Sequence, residues 1–498
     1  MISWHRSPLF PMIKFSMQKK NWKSNNTKYK WNCMNIKRKI PWLVIGFVAM
    51  MGAGCEKENL KPNFIFILAD DLGYSQVGCY GSSYYQTPHI DKMSREGMRF
   101  TNAYAACAVC SPTRASIMTG KYPARLHLTD FIAGNNRKDL PLNQPEWQKF
   151  LPLEEVTFAE MLKESCYNTA LFGKWHLSQE KMPPGSLPFN PDKQGFDETF
   201  VTYKPSGGMR QPWQDDEDDA HNVDTITSLA LDFLERNRSN PFFLFVSHNT
   251  IHDPLKERAA TIRKYEELTE TEAPENHAVI AAMIERLDSS CGKIFSKVSE
   301  LGLQENTVVI FFSDNGGRHT YAAQTPLRAG KGWLYEGGIR EPLIVKWTKV
   351  VKPGTISASL ISSIDFFPTF LEIAGINEMP ENMDGISFVP ALKDPEAGIH
   401  KNLFWHYPHY HGSGMVPGGA VRSGNWKLVE WYEKSLLDDR GSAFELYDLE
   451  NDISESVNLA DSLTTLTIQL SGELEKWRED INAQMPVPNV KQSGDKQN

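Results

Sequence analysis

Two pairs of oxygen-bearing side chains directly follow apolar segments of the chain, and their types suit a bound cation. Asp70 and Asp71 follow the apolar run 64–68, and Asp314 and Asn315 follow a second such run. Adjacent carboxylates repel each other, so a buried pair is unfavourable unless a cation is present. For the first pair alone, a turn or helix cap is an equally good interpretation. Together, the four hard oxygen ligands predict a calcium or magnesium site, since zinc favours His and Cys.

A cysteine stands where a helix is expected to begin. In the segment that starts at Cys110 (CSPTRASIMTG), Pro112 fits a first helical position, which places Cys110 and Ser111 at the helix N-terminus. Free backbone N–H groups and the helix dipole favour an anion there. Arg114, about one turn further on, adds a planar guanidinium that suits a tetrahedral oxyanion. A buried structural cysteine is the alternative, since free cysteines are usually buried.

Four more side chains could complete an anion site: Lys174, His176, His252 and Lys331. The first two follow an apolar run, and His248 and His252 follow another one. Each of them alone is more often a surface group or a core group with its hydrogen bonds satisfied. Together they would surround an anion and supply a proton to a leaving alcohol, because histidine titrates near neutrality.

Strands and helices must bring these residues together, and the pattern from residue 63 onward alternates between the two. Such alternation predicts an α/β fold with a largely parallel sheet. Continuous apolar runs are typical of strands that are covered on both faces. Ligands bind beyond the carboxyl ends of such strands, where the polar residues described above stand. The apolar runs are 64–68, 169–172, 242–246, 308–312 and 343–347.

The C-terminal part has a different pattern, with short alternating segments at 403–407, 419–432 and 443–448 and a helix over about 462–483. This predicts a small antiparallel sheet plus one helix, and thus three parts of the chain. They are a leader (1–55), a catalytic domain (60–385) and a C-terminal subdomain (400–485). A segment rich in aromatic residues also carries His406, His409 and His411, which could line the mouth of a substrate pocket or belong to a structural strand.

The leader has the features of an export signal. A basic stretch at 37–39 precedes the apolar run 42–53, which ends in small residues before Cys55. The run is too short to span a bilayer, so a cleaved signal is favoured over a permanent anchor. Small residues before Cys55 resemble a lipoprotein signal, in which that cysteine is lipidated. Met34 opens a compact signal and could be the true start. We therefore expect an exported protein, either periplasmic or anchored by lipid at the cell surface.

Charge and cysteine content narrow the function classes. The formal net charge of −8 over 498 residues argues against a nucleic-acid partner. Two of the cysteines, Cys33 and Cys55, belong to the leader. The other five are an odd number, and their spacing does not suggest a disulfide framework. At least one is thus expected to do something other than pair. The seven cysteines are Cys33, Cys55, Cys79, Cys107, Cys110, Cys166 and Cys291.

With these residues in view, the sequence resembles the type I sulfatases, which use formylglycine and belong to the alkaline-phosphatase-like superfamily. CSPTRASIMTGKYPAR resembles the C-x-P-x-R signature of that family, and LFGKWHL resembles its second signature. SDNGG, PLRAGKGWLYEGGIREPLIV and ELYDLENDISESVNLA are also similar to family patterns. The resemblance runs from about Pro62 to Ala460. It implies a large mixed, mostly parallel sheet sandwiched by helices, with the smaller C-terminal antiparallel sheet and helix.

The resemblance also implies the nucleophile and the metal. Cys110 would be oxidised by a dedicated maturase to formylglycine (3-oxoalanine). One calcium ion would be bound by Asp70, Asp71, Asp314 and Asn315, beside the modified Cys110. One hydroxyl of the hydrated aldehyde would attack sulfur, and the second would allow sulfate to be expelled.

Five further residues receive roles from the same resemblance. Arg114 and Lys174 would steady the nucleophile and the sulfate, and Lys331 would contact the sulfate as well. His176 would assist the release of sulfate from the enzyme. His252, together with Lys331, would protonate the leaving oxygen.

A sulfated glycan is the expected substrate, as for the bacterial sulfatases that act on polysaccharides, with sulfate on galactose or an amino sugar. A phosphatase or phosphodiesterase of the same fold is one alternative, although those enzymes usually combine Thr or Ser with a His-rich two-zinc site. A non-catalytic glycan-binding lipoprotein is another. Cys107 is a further concern, because it could form a non-productive disulfide with Cys110 in an oxidising compartment.

Overall fold

The computed structural model describes residues 61–135, 139–178, 188–202, 213–215, 218–437 and 443–489. All of these belong to one compact unit, Cys55–Asn498. The leader and Cys55 itself lie outside the described residues, so the export signal and the lipid anchor stay predictions. No helix in the described part of the chain combines the length and apolar character that crossing a bilayer requires.

An eight-stranded sheet forms the centre of the fold. Its strand order is β8-β2-β7-β6-β1-β5-β3-β4, and neighbours from β6 to β4 are parallel. β7 runs antiparallel to both of its neighbours, and β8 is parallel to β2. The predicted mixed, mostly parallel sheet is thus confirmed. The strands are β1 Asn63–Ala69, β2 Met98–Phe100, β3 Asn168–Lys174, β4 Glu198–Thr202, β5 Phe242–Ser247, β6 Thr307–Ser313, β7 Leu343–Lys346 and β8 Thr355–Ser357.

Helices cover both faces of this sheet. In β1, Phe64 and Phe66 pack against α2, α3 and α7, whereas Ile65 and Ile67 pack against α1, α4, α5 and α6. Because both faces of the strand are dry, its sequence is an unbroken apolar run without polar alternation. The helices are α1 Pro88–Glu96, α2 Cys110–Thr119, α3 Phe158–Glu164, α4 Val223–Asn237, α5 Ala259–Glu266, α6 Ala278–Glu300, α7 Phe366–Ala374 and α8 Thr464–Asp480.

The C-terminal part is an antiparallel sheet with one helix, as predicted. Its four strands follow the order β9-β10-β11-β12. The segment expected at 419–432 is two strands, because the chain turns at Gly424 and pairs with itself. α8 covers one face through an apolar cluster that includes Leu470 and Leu474. The strands are β9 Asn402–Tyr407, β10 Gly418–Ser423, β11 Trp426–Trp431 and β12 Phe444–Asp448.

A buried ion cluster joins this C-terminal sheet to the segment that follows Lys331. Lys427 of β11 is fully buried, and its Nζ lies 2.9 Å from Glu336 Oε1 and 2.9 Å from Glu455 Oε1. The other oxygen of Glu336 accepts a hydrogen bond from the Tyr104 hydroxyl at 2.7 Å. Burial raises the pKa of Glu455 to about 7. The cluster therefore anchors the chain five residues after Lys331.

Candidate active site

Four neighbouring parallel strands end at the same edge of the large sheet and bring their polar residues together. Asp70 and Asp71 follow β1, and Asp314 and Asn315 follow β6, while Ser247 and Lys174 are the last residues of β5 and β3. Lys174 Nζ lies 2.9 and 2.8 Å from the two oxygens of Asp70. Asn315 Nδ2 donates to Asp71 Oδ1 at 2.8 Å. The four oxygen ligands predicted from the sequence thus occupy one buried cluster.

Cys110 begins α2 and faces this cluster. Its Sγ atom lies 3.7 Å from Asp70 Oδ1 and 3.9 Å from Asp71 Oδ1, and the residue is 1% exposed. The helix starts two residues earlier than the position of Pro112 indicates, since Val109 is extended and Cys110 is already helical. Proline is tolerated anywhere in a first turn, because the N–H groups there have no partner within the helix. Cys110 and Cys107 are both free thiols.

Each buried carboxylate has its own cation. Lys331 Nζ lies 2.6 and 2.8 Å from the oxygens of Asp71, and 3.4 Å from Cys110 Sγ. Arg114 Nε donates to Asp314 Oδ2 at 2.8 Å. The same guanidinium also donates to the Ser247 hydroxyl at 2.7 Å. These pairings fix the orientation of both cations beside the cysteine.

Burial and the cations act in opposite directions on the acidic groups. Burial opposes ionisation of Asp70 and Asp71, but the ammonium groups of Lys174 and Lys331 keep the pKa of both carboxyls below its usual range. At Asp314 burial dominates and raises the pKa to about 6, despite the guanidinium of Arg114. Burial also raises the pKa of the Cys110 thiol to about 12. The centre is therefore a desolvated site in which three carboxyl groups and three cations stabilise one another.

Two of the three histidines near the strand ends face the cysteine. His252 Nε2 lies 3.9 Å from Asp71 Oδ2, while its Nδ1 lies 2.9 Å from the carbonyl oxygen of Asp253. A carbonyl can only accept, so Nδ1 carries the proton and Nε2 is the basic atom on the side of the site. His176 lines the same cavity as Cys110. His248, by contrast, contacts Ser290 of α6 at 3.1 Å, in the layer of helices.

A cavity of about 450 Å³ opens outward from Cys110. Its walls come from residues 131–135, 318–320 and 411–413, with His252 and Lys331 near the cysteine. This volume is within the range of pockets that enclose one small ligand, about 300–1,000 Å³. The arrangement can hold a tetrahedral anion beside Cys110 and the rest of a small substrate between the walls.

Of the three C-terminal histidines, the structure brings His411 to the cavity but not His406 or His409. Both ring nitrogens of His406 and of His409 are hydrogen-bonded in the interior, which leaves no atom of either ring for a substrate. The partners are Tyr432 and Gln484 for His406, and Thr129 and Gln144 for His409. These two residues make interior contacts, and His406 lies in β9 whereas His409 follows that strand.

Sequence reasoning missed several residues of the cavity wall. Asp253 directly follows His252, and Arg318 lies three residues after Asn315, so proximity to a predicted site residue was a usable signal for both. The segment 131–135 gave no such signal. It lies at the cavity because its backbone is held by side chains distant in sequence, such as Ser111, whose hydroxyl accepts from Ile132 N at 3.1 Å.

Comparison with known proteins gives the same picture over most of the chain. A family model described as Sulfatase matches residues 62–376, and one described as N-sulphoglucosamine sulphohydrolase, C-terminal, matches residues 329–480. Human arylsulfatase A is 30% identical over 477 residues, covering 85% of this chain and 88% of that protein.

Bacterial proteins are similar as well. The N-acetylgalactosamine-6-O-sulfatase of Bacteroides thetaiotaomicron is 29% identical over 546 residues, covering 89% of this chain and 99% of that protein. The crystal structure of Ps i-CgsB in complex with k-i-k-neocarrahexaose superimposes with a TM-score of 0.68 at 27% identity, covering 84% of this chain and 92% of that one. The matched residues include every strand end that builds the site, and the chain thus belongs to the sulfatase family of enzymes, which hydrolyse sulfate esters.

Proposed function

We propose that this sulfatase removes sulfate from a sulfated glycan, using formylglycine made from Cys110 and one calcium ion. The observation that carries the proposal is the position of Cys110. It starts a helix, lies within 4 Å of two buried aspartates and contacts Lys331. A helix N-terminus and an adjacent ammonium group stabilise negative charge, as sulfuryl transfer requires.

The residues present fit a calcium ion. Calcium prefers oxygen ligands, and Asp70, Asp71 and Asp314 supply buried carboxylates. Asn315 Oδ1 is buried and has no hydrogen-bond partner among the described residues, which leaves it free to bind a cation. Atoms of Asp70, Asp71, Cys110 and His252 also lie within 4.8 Å of one another. When bound, calcium would act as a Lewis acid beside the nucleophile.

The side chains around Cys110 divide the chemical work. The formylglycine would supply a hydrated aldehyde as nucleophile. Lys331 is 3.4 Å from Sγ, and we assign it to a sulfate oxygen. Arg114 and Lys174 hold Asp314 and Asp70 in place and add positive charge behind the sulfate. His252 would first take up a proton on Nε2, and in this doubly protonated form would pass that proton to the leaving oxygen. His176 is the proposed base on the nucleophile side.

Three considerations support a glycan as substrate. One relative is an N-acetylgalactosamine-6-O-sulfatase, and a similar structure is a complex with k-i-k-neocarrahexaose. The cavity wall carries hydroxyl, amide and imidazole groups at Thr320, Asn135 and His411, which suit sugar hydroxyls. The third consideration is the leader, which is typical of an exported lipoprotein, as expected for the bacterial sulfatases that act on polysaccharides. We propose that this protein is exported as such a lipoprotein and that a maturase modifies Cys110.

The proposal is tested with protein produced alongside a formylglycine-generating maturase. Mass spectrometry of the peptide around Cys110 should show the aldehyde, and the protein should turn over aryl sulfate faster than aryl phosphate. Faster phosphate turnover that survives Cys110→Ala would favour a phosphatase. Fully modified protein that releases no sulfate from aryl sulfate or from a broad glycan panel would favour a binding protein.

Calcium should stabilise the folded protein. At a calcium concentration one hundred times its Kd, binding should add about 2.7 kcal/mol to the free energy of unfolding. Thermal unfolding with EGTA and then with excess Ca²⁺ measures the shift. Asp71→Asn should remove it, whereas Asp192→Asn, at an exposed position, should not. A shift produced by Zn²⁺ but not by Ca²⁺ would contradict the assignment.

His252 should matter most for poor leaving groups. Loss of a proton donor costs about 10²-fold or more in rate, so His252→Ala should lower kcat strongly for alkyl and sugar sulfates and less for nitrophenyl sulfate. His248→Gln serves as the control, because His248 bonds to Ser290 instead. It should change thermal stability without changing the dependence of kcat on leaving-group pKa. An equal loss for all leaving groups in His252→Ala would contradict this role.

A further inference from the structure

One ion pair in the cavity has no role in the proposed chemistry. The charged residues among the described cavity wall are Lys331, Asp253 and Arg318. The first is assigned to sulfate. The other two pair with each other through Arg318 Nη1 and Asp253 Oδ2. Since their charges cancel, the wall beyond the sulfate position presents polar groups with no net charge.

Each partner of the pair makes one further contact. The guanidinium carbon of Arg318 lies 4.9 Å from the centre of the Tyr321 ring, so one face of the group is covered. The Arg318 side chain is nevertheless 35% exposed, which leaves N–H donors accessible from the cavity. Asp253 is joined to His252, because its carbonyl oxygen accepts from His252 Nδ1. A group bound by Arg318 is therefore held in a defined position relative to the proton donor.

The neighbouring wall residues add no positive charge. Burial, with a smaller effect from Arg318, lowers the pKa of His319, so its ring is neutral near pH 7. Thr320, Asn135 and Ser413 carry neutral hydrogen-bonding groups. An anion at this wall would have to compete with Asp253 for Arg318, and the other cation of the described cavity wall, Lys331, is assigned to sulfate. A hydroxyl group can accept from Arg318 without that competition.

We propose that the Asp253–Arg318 pair is the subsite for the hydroxyl groups of the sulfated sugar, and that this sugar carries no second anionic group. The inference rests on the proposed function and narrows it to a singly sulfated neutral hexose or N-acetylhexosamine. Sugars with a carboxylate or a second sulfate on the same ring are excluded as preferred substrates. The cavity volume of about 450 Å³ agrees with one enclosed ring.

The experiment compares kcat/KM of the full-length matured enzyme on three kinds of substrate. They are singly sulfated galactose and N-acetylhexosamines, the same sugars with a second sulfate, and nitrophenyl sulfate, which has no sugar hydroxyls. The wild-type enzyme should prefer its best singly sulfated sugar over the doubly sulfated form by at least about 10-fold, since one unfavourable charge contact costs more than 1.4 kcal/mol.

Variants at Arg318 test the subsite itself. We compare kcat/KM for the sulfated sugar with kcat/KM for nitrophenyl sulfate. Arg318→Ala should lower the ratio of the first value to the second by about 10-fold or more, because a hydrogen bond to a charged group is lost. Arg318→Lys should recover part of that ratio, and Arg318→Gln tests the same point if the alanine variant is unstable. Arg236→Ala is the matched control, since this arginine of α4 is an exposed partner of Glu198 of β4 and is not among the residues that line the cavity.

The outcomes separate the inference from the proposed function. An unchanged ratio, equal losses on both substrates, or a preference for the doubly sulfated sugar would overturn the inference while sulfatase activity stands. Turnover of aryl sulfate with no turnover of any singly sulfated sugar would also overturn it. A formylglycine-bearing wild-type enzyme that hydrolyses none of the substrates would refute the proposed function, and the inference with it.

Discussion

Cys110→Ala should abolish sulfate release, with kcat/KM reduced by about 10⁴-fold or more, as for the loss of other enzyme nucleophiles. The formylglycine made from Cys110 is the reacting group in the proposed chemistry, and no neighbouring side chain of the cluster can replace it. Lys331 and Lys174 are already paired with carboxylates. A bound water molecule acting as nucleophile would not be part of the helix N-terminus, as residue 110 is. Sulfate release from nitrophenyl sulfate and from a sulfated sugar measures the effect.

Cys110→Ser separates the nucleophile from the shape of the site. A serine hydroxyl can take up sulfate but has no second hydroxyl on the same carbon to expel it. We expect a single turnover, after which intact-protein mass spectrometry shows one sulfuryl group on the enzyme. Cys291→Ala is the matched control, because Cys291 is a buried free thiol of α6 on the other side of the sheet. It should lower stability and leave kcat unchanged; full activity in Cys110→Ala would refute the mechanism.

Lys427→Met should lower the free energy of unfolding by about 3–5 kcal/mol, since removing one partner of a buried ion pair leaves an uncompensated charge. Two carboxylates, Glu336 and Glu455, lose their shared cation in this variant. The exposed pair Lys476–Asp480 provides the control, because Lys476→Met should cost about 0.5 kcal/mol or less. Urea denaturation of both variants and the wild type measures the difference.

The cost at Lys427 should depend on pH. Burial already raises the pKa of Glu455 to about 7, and loss of the lysine raises it further. A carboxyl whose pKa is higher in the folded state binds more protons there, so the folded state loses stability as pH rises. The destabilisation of Lys427→Met should therefore be larger at pH 8 than at pH 5. A cost that is small and independent of pH would show that the cluster is not ionised.

The parts of the site that could be predicted from sequence are those set by local pattern and sheet topology. An apolar run that stops at Asp70 ends a strand, and parallel strands end at one edge, so Asp70 and Asp314 were expected to meet. The same rule could not separate His248 from His252. Both follow β5, and what distinguishes them is the direction of each side chain, with His248 bonded to Ser290 in α6.

The residues that sequence reasoning could not place depend on packing between distant segments. His406 and His409 stand in a promising aromatic stretch with His411, but hydrogen bonds to the interior decide which ring reaches the cavity. No periodicity indicates that residues 131–135 line the cavity, since that position follows from tertiary contacts. Arg318 could be found only as a neighbour of a motif, and its partner lies on another loop.

The spread of the site along the chain has a consequence for the order of its assembly during synthesis. Lys331 lies 221 residues after Cys110, and its segment is anchored through Glu455, later still. At about 5–20 residues per second, roughly ten to forty-five seconds separate the emergence of the cysteine from that of Lys331. Cys110 is 1% exposed once the fold closes. An enzyme that modifies this thiol therefore has its opportunity in that interval, while the nascent chain still lacks the residues that will enclose it.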